Sequence, residues 1–186
     1  MMLEKVIVNS DGGCRVNPGP GSFGYVISFE GLDRKIIGGG FEERGSNNWF
    51  EFKALAEAAA FLLRVDDLGQ EIEFRSDSML VVQTLNGEWQ LKEPSLRDVF
   101  SLAQARLAKL RLRVPKLSID WIKRAENSEA DAICNEIQDQ HGVVGISWKE
   151  RQAQAAQARQ ESIRRMAQAA DEAGLYDAVI LPDDLA

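Results

Sequence analysis

Three strand-like segments come before the first helical one, and that order narrows the fold more than any other feature of the chain. Leu3–Asn9 alternates and is rich in Val and Ile. Phe23–Phe29 and Arg34–Phe41 follow across turn-forming stretches, so the three segments predict antiparallel neighbours. From Asn47 or Asn48, a plausible N-cap, apolar residues recur at helical spacing to about Arg64, with Leu55, Ala58, Phe61 and Leu62 on the buried stripe. Glu71–Arg75 reads as a strand and Ser78–Leu85 as a helix. Pro94 opens a third helix to about Leu110. Leu117–Lys123 is a fifth strand, and Ser128–Gln138 a further helix. Strands separated by helices pair parallel. The expectation is an α/β fold: a mixed five-stranded sheet, three antiparallel strands then parallel ones, flanked by helices.

Composition changes after Gly145. Trp148–Ala173 is rich in Ala, Gln, Arg and Glu without Pro or Gly, which predicts a long helix. Its small residues do not sustain a heptad of large ones. The chain therefore divides into an expected domain over 1–145 and a C-terminal helix with an acidic tail over 146–186. The role of that extension is open. A protein partner for it, with the apolar run Ala178–Leu181 as a docking peptide, is one reading.

Net charge is −7, which at first opposes nucleic acid as a partner. Five acids from Asp171 onward, with no Lys or Arg among them, account for −5, leaving −2 for the remainder. Arg106, Lys109, Arg111, Arg113, Lys116, Lys123 and Arg124 fall in one short stretch, so a local basic surface is compatible with a globally acidic chain. No apolar run reaches the roughly 18–20 residues of a membrane span, and no signal layout is present, so a cytoplasmic protein without membrane attachment is expected. Cys14 and Cys134 match no zinc spacing and read as reduced thiols.

Four acids sit at element ends. Asp11 closes the first strand, Glu51 lies in the first turn of the first helix, Asp77 ends the fourth strand, and Asp131 opens the last helix of the sheet region. Each alone is an ordinary turn, cap or dipole residue. Together they could converge, because the first and fourth strands are expected to be neighbours. Carboxylates about 4 Å apart repel by roughly 4 kcal/mol at an effective dielectric near 20. Divalent cations remove that cost, and oxygen ligands without His or Cys favour Mg²⁺, with Mn²⁺ as substitute. Gly19-Pro20-Gly21-Ser22-Phe23-Gly24 matches a dinucleotide fingerprint, but strand-like residues follow where that motif needs a helix.

The segment Asp11-Gly12-Gly13-Cys14-Arg15-Val16-Asn17-Pro18-Gly19-Pro20-Gly21 closely resembles the opening motif of type 1 ribonuclease H. Ser46-Asn47-Asn48-Trp49-Phe50-Glu51 resembles the second motif, Ser76-Asp77-Ser78 the third, and Trp121 through Asn127-Ser128-Glu129-Ala130-Asp131 the fourth. The resemblance runs in order from about Leu3 to Gln138. It implies a ribonuclease H-like fold and hydrolysis of the RNA strand of RNA–DNA hybrids by two metal ions, leaving 5′-phosphate and 3′-hydroxyl ends. It also implies Asp11, Glu51, Asp77 and Asp131 as metal ligands and catalytic residues. Cys14, Asn17, Asn47 and Asn48 would lie along the hybrid's minor groove, with Arg44 and Ser46 at a DNA phosphate.

There are departures. Met79 stands where the family often has Gln. The loop Lys123-Arg124-Ala125-Glu126 has no His, and His141 reads as a surface or capping residue. Asn86–Ser95 carries only Lys92 where many members have a basic protrusion, which resembles the shorter, archaeal-like branch. Trp89 reads as a packed aromatic more readily than a DNA-stacking one. A related nuclease acting on double-stranded RNA and an idle hybrid-binding scaffold are the alternatives. A monomer is expected.

Overall fold

The computed structural model describes residues 5–33, 35–145, and the helical positions 160, 161, 163–165 and 168. Most of the helix expected over Trp148–Ala173 lies outside the described residues, as do the Ala178–Leu181 run, Leu3 and Arg34. The chain divides into two compact units, Met1–Gly145 and Ile146–Ala186. The first carries β1 (Lys5–Cys14), β2 (Gly19–Phe29), β3 (Lys35–Gly45), α1 (Asn47–Leu62), β4 (Glu71–Ser76), α2 (Met79–Leu85), α3 (Arg97–Arg111), β5 (Lys116–Trp121) and α4 (Ser128–Gln140). Short 3₁₀ turns at Pro94–Leu96 and Arg124–Glu126 lead into α3 and α4. No helix among the described residues is long and apolar enough to cross a membrane.

The five strands form one sheet in the order β3-β2-β1-β4-β5. β1 pairs antiparallel with β2, and β2 with β3; β4 lies parallel to β1, and β5 to β4. This is the mixed sheet the element order predicts. Its functional consequence is the β1–β4 neighbourhood. Their register ends at Asn9 opposite Arg75, so Asp11 and Asp77 each follow two residues beyond the last pair, on adjacent strands running the same way.

α1 is the central helix. Phe50, Phe52, Leu55 and Leu62 are fully buried on it, each worth about 1.5–3 kcal/mol on burial, and the helix packs against β1, β2 and α3. α4 lies against β1, β2 and β3. A Cβ on Gly24 would stand 2.9 Å from Ile133 of α4, so the glycine lets helix and sheet close. The glycines that mimic a nucleotide fingerprint thus lie within β2, which begins at Gly19, ahead of the strand expected from Phe23.

Two further differences in boundary matter for the site. β1 does not end before Asp11-Gly12-Gly13; it continues to Cys14 because Asp11 through Cys14 stay paired with Gly24 through Gly21. The turn is made by Arg15–Pro18 instead. The N-cap of α1 is Ser46, whose hydroxyl accepts from the Trp49 N–H. The helix therefore starts one or two residues early, and Glu51 falls in its second turn rather than its first.

Candidate metal centre

Gly12 fixes how closely α1 approaches β1. A Cβ there would lie 2.3 Å from the Phe50 carbonyl carbon and 2.7 Å from the Glu51 nitrogen, so only glycine permits the contact. The close approach brings the Glu51 side chain beside Asp11. Asp77 arrives from the bend after β4. Asp11, Glu51 and Asp77 each offer a carboxylate oxygen, all within 4.8 Å of one another. Three of the four acids expected from the sequence are thus together. Asp131 stands beside this group, with its Oδ1 accepting from Arg124 at 2.8 Å and its Oδ2 from Asn135 at 2.9 Å.

The electrostatics follow from that crowding. Asp11 is buried, and its pKa is raised to about 7, first by burial and then by the charges of Asp77 and Asp131. Glu51 is pushed well above the usual carboxylate range, again chiefly by burial and then by Asp11 and Asp77, with Arg124 and the Ser76 hydroxyl offsetting part of the rise. One Glu51 oxygen, Oε2, is buried with no hydrogen-bond partner. A buried carboxylate oxygen left unpaired is costly, and a cation would satisfy it. All the donors are hard oxygens, a set suited to Mg²⁺ or Mn²⁺ rather than zinc.

Asp77 is held from outside its own strand. Asn127 Nδ2 donates to its Oδ1 at 2.8 Å, and the Trp121 indole N–H donates to its backbone carbonyl at 3.1 Å. Arg124, Asn127 and the anchoring role of Trp121 are what sequence reasoning did not assign. All three lie in the fourth motif, and what each touches becomes visible only once β5 is seated beside β4.

The expected substrate residues form a second cluster around the β1–β2 turn and the start of α1. Asn47 Oδ1 accepts from the Cys14 N–H at 2.9 Å and from its thiol at 3.1 Å. Asn17 Oδ1 accepts from the Asn47 N–H at 3.1 Å. Both amide oxygens are occupied, so the Nδ2 groups of Asn17 and Asn47 are left as donors without a partner among the described residues. Arg44, Ser46, Asn17 and Asn48 line one groove of about 540 Å³. Asn48 also borders a groove of about 640 Å³ lined by Leu80, Trp89, Leu91 and Leu96. Trp89 is 49% exposed there, so it is not the packed aromatic expected.

His141 stacks on Phe41, with centroids 4.1 Å apart, and its Nδ1 lies 2.9 Å from the Ile137 carbonyl, as a capping residue would. Part of the basic stretch is spent on structure. Arg106 pairs with Glu57, Arg113 donates to carbonyls from Leu62 to Asp66 at the end of α1, and Lys116 pairs with Glu71. Lys109, Arg111 and Lys123 are exposed.

The ribonuclease H family model matches residues 3–141. The chain belongs to the ribonuclease H family. Among its type 1 relatives, the ribonuclease HI of Halobacterium salinarum is 36% identical over 130 residues, covering 69% of this chain and 62% of that protein. The bifunctional protein Rv2228c of Mycobacterium tuberculosis is 30% identical over 141 residues, covering 73% of this chain and 36% of that protein. The chain thus matches only part of these relatives' length. The solved ribonuclease H1 of H. salinarum superposes with a TM-score of 0.66 at 33% identity, covering 73% of this chain and 98% of that one. LC11-RNase H1, solved in complex with an RNA/DNA hybrid, superposes at 0.63 with 32% identity, covering 73% of this chain and 98% of that one. The ribonuclease H fold of the sheet region is therefore common to these proteins and this chain.

Proposed function

We propose that unit 1–145 is a metal-dependent endoribonuclease that cuts the RNA strand of RNA–DNA hybrids. The observation that carries the reading is the convergence of Asp11, Glu51 and Asp77 within 4.8 Å, with one Glu51 oxygen buried and unpaired. In this reading Asp11, Glu51, Asp77 and Asp131 hold two Mg²⁺ ions, with Mn²⁺ as substitute. When bound, such ions activate water and stabilise the leaving oxygen of an in-line phosphoryl displacement, leaving 5′-phosphate and 3′-hydroxyl ends.

The chain's own residues do the rest. Asp11 and Glu51 are fixed by the β1–α1 contact at Gly12, and Asp77 by Asn127 and Trp121. Arg124, on Asp131, places a positive charge at the mouth of the site, where a scissile phosphate would be drawn in. Asn17 and Asn47 are exposed, and their Nδ2 donors suit the minor groove's acceptors and the RNA strand's 2′-hydroxyls. Cys14 and Asn48 flank them. Arg44 makes no ion pair among the described residues, and with the Ser46 hydroxyl it would grip a DNA-strand phosphate. All four carboxylates come from one chain, so the site needs no second copy.

The test is side-by-side digestion of a labelled hybrid, double-stranded RNA and double-stranded DNA of one sequence, with the product ends identified. Cuts confined to the hybrid's RNA strand, leaving 5′-phosphates, support the reading. Preferential cleavage of double-stranded RNA would reassign the substrate. Hybrid binding with no cleavage of anything would replace the enzyme with a binding module.

A further inference from the structure

Asn127 is 1% exposed and sits just before α4, yet its side chain joins β1 to the bend after β4. Its Nδ2 donates to the Ser10 carbonyl of β1 at 3.0 Å and to Asp77 Oδ1 at 2.8 Å. Its Oδ1 accepts from the Asn9 amide at 3.4 Å. The Ser10 carbonyl can only accept, so it fixes the Nδ2 end of the Asn127 amide toward β1 and the carboxylate. Both Nδ2 hydrogens are then committed, one to the strand and one to Asp77. That leaves Asp77 with one carboxylate oxygen engaged and the other free to turn toward Asp11 and Glu51.

We infer that Asn127 is a positioning residue, setting the rotation of the Asp77 carboxylate so that its free oxygen completes the three-acid site. A carboxylate in a bend beyond its strand has no packing to hold its terminal torsion, which is soft. A buried amide anchored on β1 supplies the missing constraint. It also ties Asp77 to the strand that carries Asp11, so the two carboxylates keep their spacing together. Groups that orient ligands in this way are worth about 10–100-fold in metal affinity. The inference rests on the reading of these acids as metal ligands.

The test is Mn²⁺ binding to the whole chain without nucleic acid, by calorimetry, for the native protein, Asn127→Ala and Gln138→Ala, with melting curves for each. Gln138 is the control: it is equally buried, and its Nε2 donates to Ser22 of β2 at 3.1 Å, but no hydrogen bond joins it to the three acids. The expected result is a loss of Mn²⁺ affinity of about tenfold or more in Asn127→Ala, and less than twofold in Gln138→Ala, even where both melt earlier. Should Asn127→Ala not fold, Asn127→Ser, whose hydroxyl is polar but too short to reach Asp77, is expected to show the same loss. Folded Asn127 variants that bind Mn²⁺ like the native protein would overturn the inference. So would an equal loss in Gln138→Ala, which would make the effect one of general loosening. Failure of the native protein itself to bind Mn²⁺ would instead remove the metal-site reading, and this inference with it.

Discussion

Replacing Asp11 by Asn should abolish cleavage and yet stabilise the metal-free protein. Asp11 is buried beside Asp77 and Asp131, and its pKa is raised from 3.8 to about 7. A carboxyl whose pKa rises on folding keeps a proton in the folded state that the unfolded chain has released. It therefore costs stability as pH climbs above the unfolded value, and the full cost is in place once pH passes the folded one. A shift of about three units corresponds to about 4 kcal/mol at 1.36 kcal/mol per unit. The amide of Asn has the same shape and no charge, so the variant escapes that cost. In chelator, the stability gap between Asp11→Asn and the native protein should be near zero at pH 4 and grow to about 2–4 kcal/mol at pH 8. At about 2–4 °C per kcal/mol for a unit of this size, that is a difference in Tm of roughly 5–15 °C at the alkaline end. Circular-dichroism melts at pH 5, 6, 7 and 8 read it directly. Adding Mg²⁺ should narrow the gap, because only the native site gains from the cation. A gap that does not change with pH, or a variant less stable than the native protein at pH 8 in chelator, would refute the reasoning.

Gly12→Ala should cost about 1–3 kcal/mol or more, since its Cβ would meet the α1 backbone, and should weaken Mn²⁺ binding by displacing Glu51; an unchanged Tm would show that the contact is slack. Ser46→Ala should lower stability by about 0.5–2 kcal/mol through loss of the α1 cap, measured by urea unfolding, and no change would mean another group caps Trp49. Arg124→Ala should move the acid limb of the pH–cleavage profile to higher pH. Its positive charge lowers the proton affinity of Asp11 and Glu51, and its removal leaves both easier to protonate. An acid limb that stays in place would show that Arg124 does not act on the cluster.

The element order made the sheet legible because each local preference agreed with the global pairing. The convergence of Asp11 and Asp77 followed from the parallel β1–β4 pair alone. The sequence was less informative where a partner decides the outcome. Asp11-Gly12-Gly13 looks like a turn until β2 supplies Gly21–Gly24 to keep it extended, and the glycine at 12 answers to a helix 38 residues away at Phe50. Asn47 and Asn48 are good caps by type, but Ser46 takes the role, which moves Glu51 into the second turn. Arg106 and Arg113 count as basic residues in any composition, yet Glu57 and the carbonyls at the end of α1 absorb them. Asn127 belongs to the fourth motif, but its task depends on β1 and the bend after β4 meeting beside it.

The most direct measurement is cleavage of an end-labelled RNA–DNA hybrid in Mg²⁺, and separately in Mn²⁺, by the native protein and by Asp77→Asn, with a chelator control. The account predicts metal-dependent cuts in the RNA strand alone, with activity lost by about a hundred- to a thousandfold in Asp77→Asn, as removal of a charge-stabilising group at a reacting centre entails. Cleavage that survives the chelator, or an Asp77→Asn variant as active as the native protein, would contradict it.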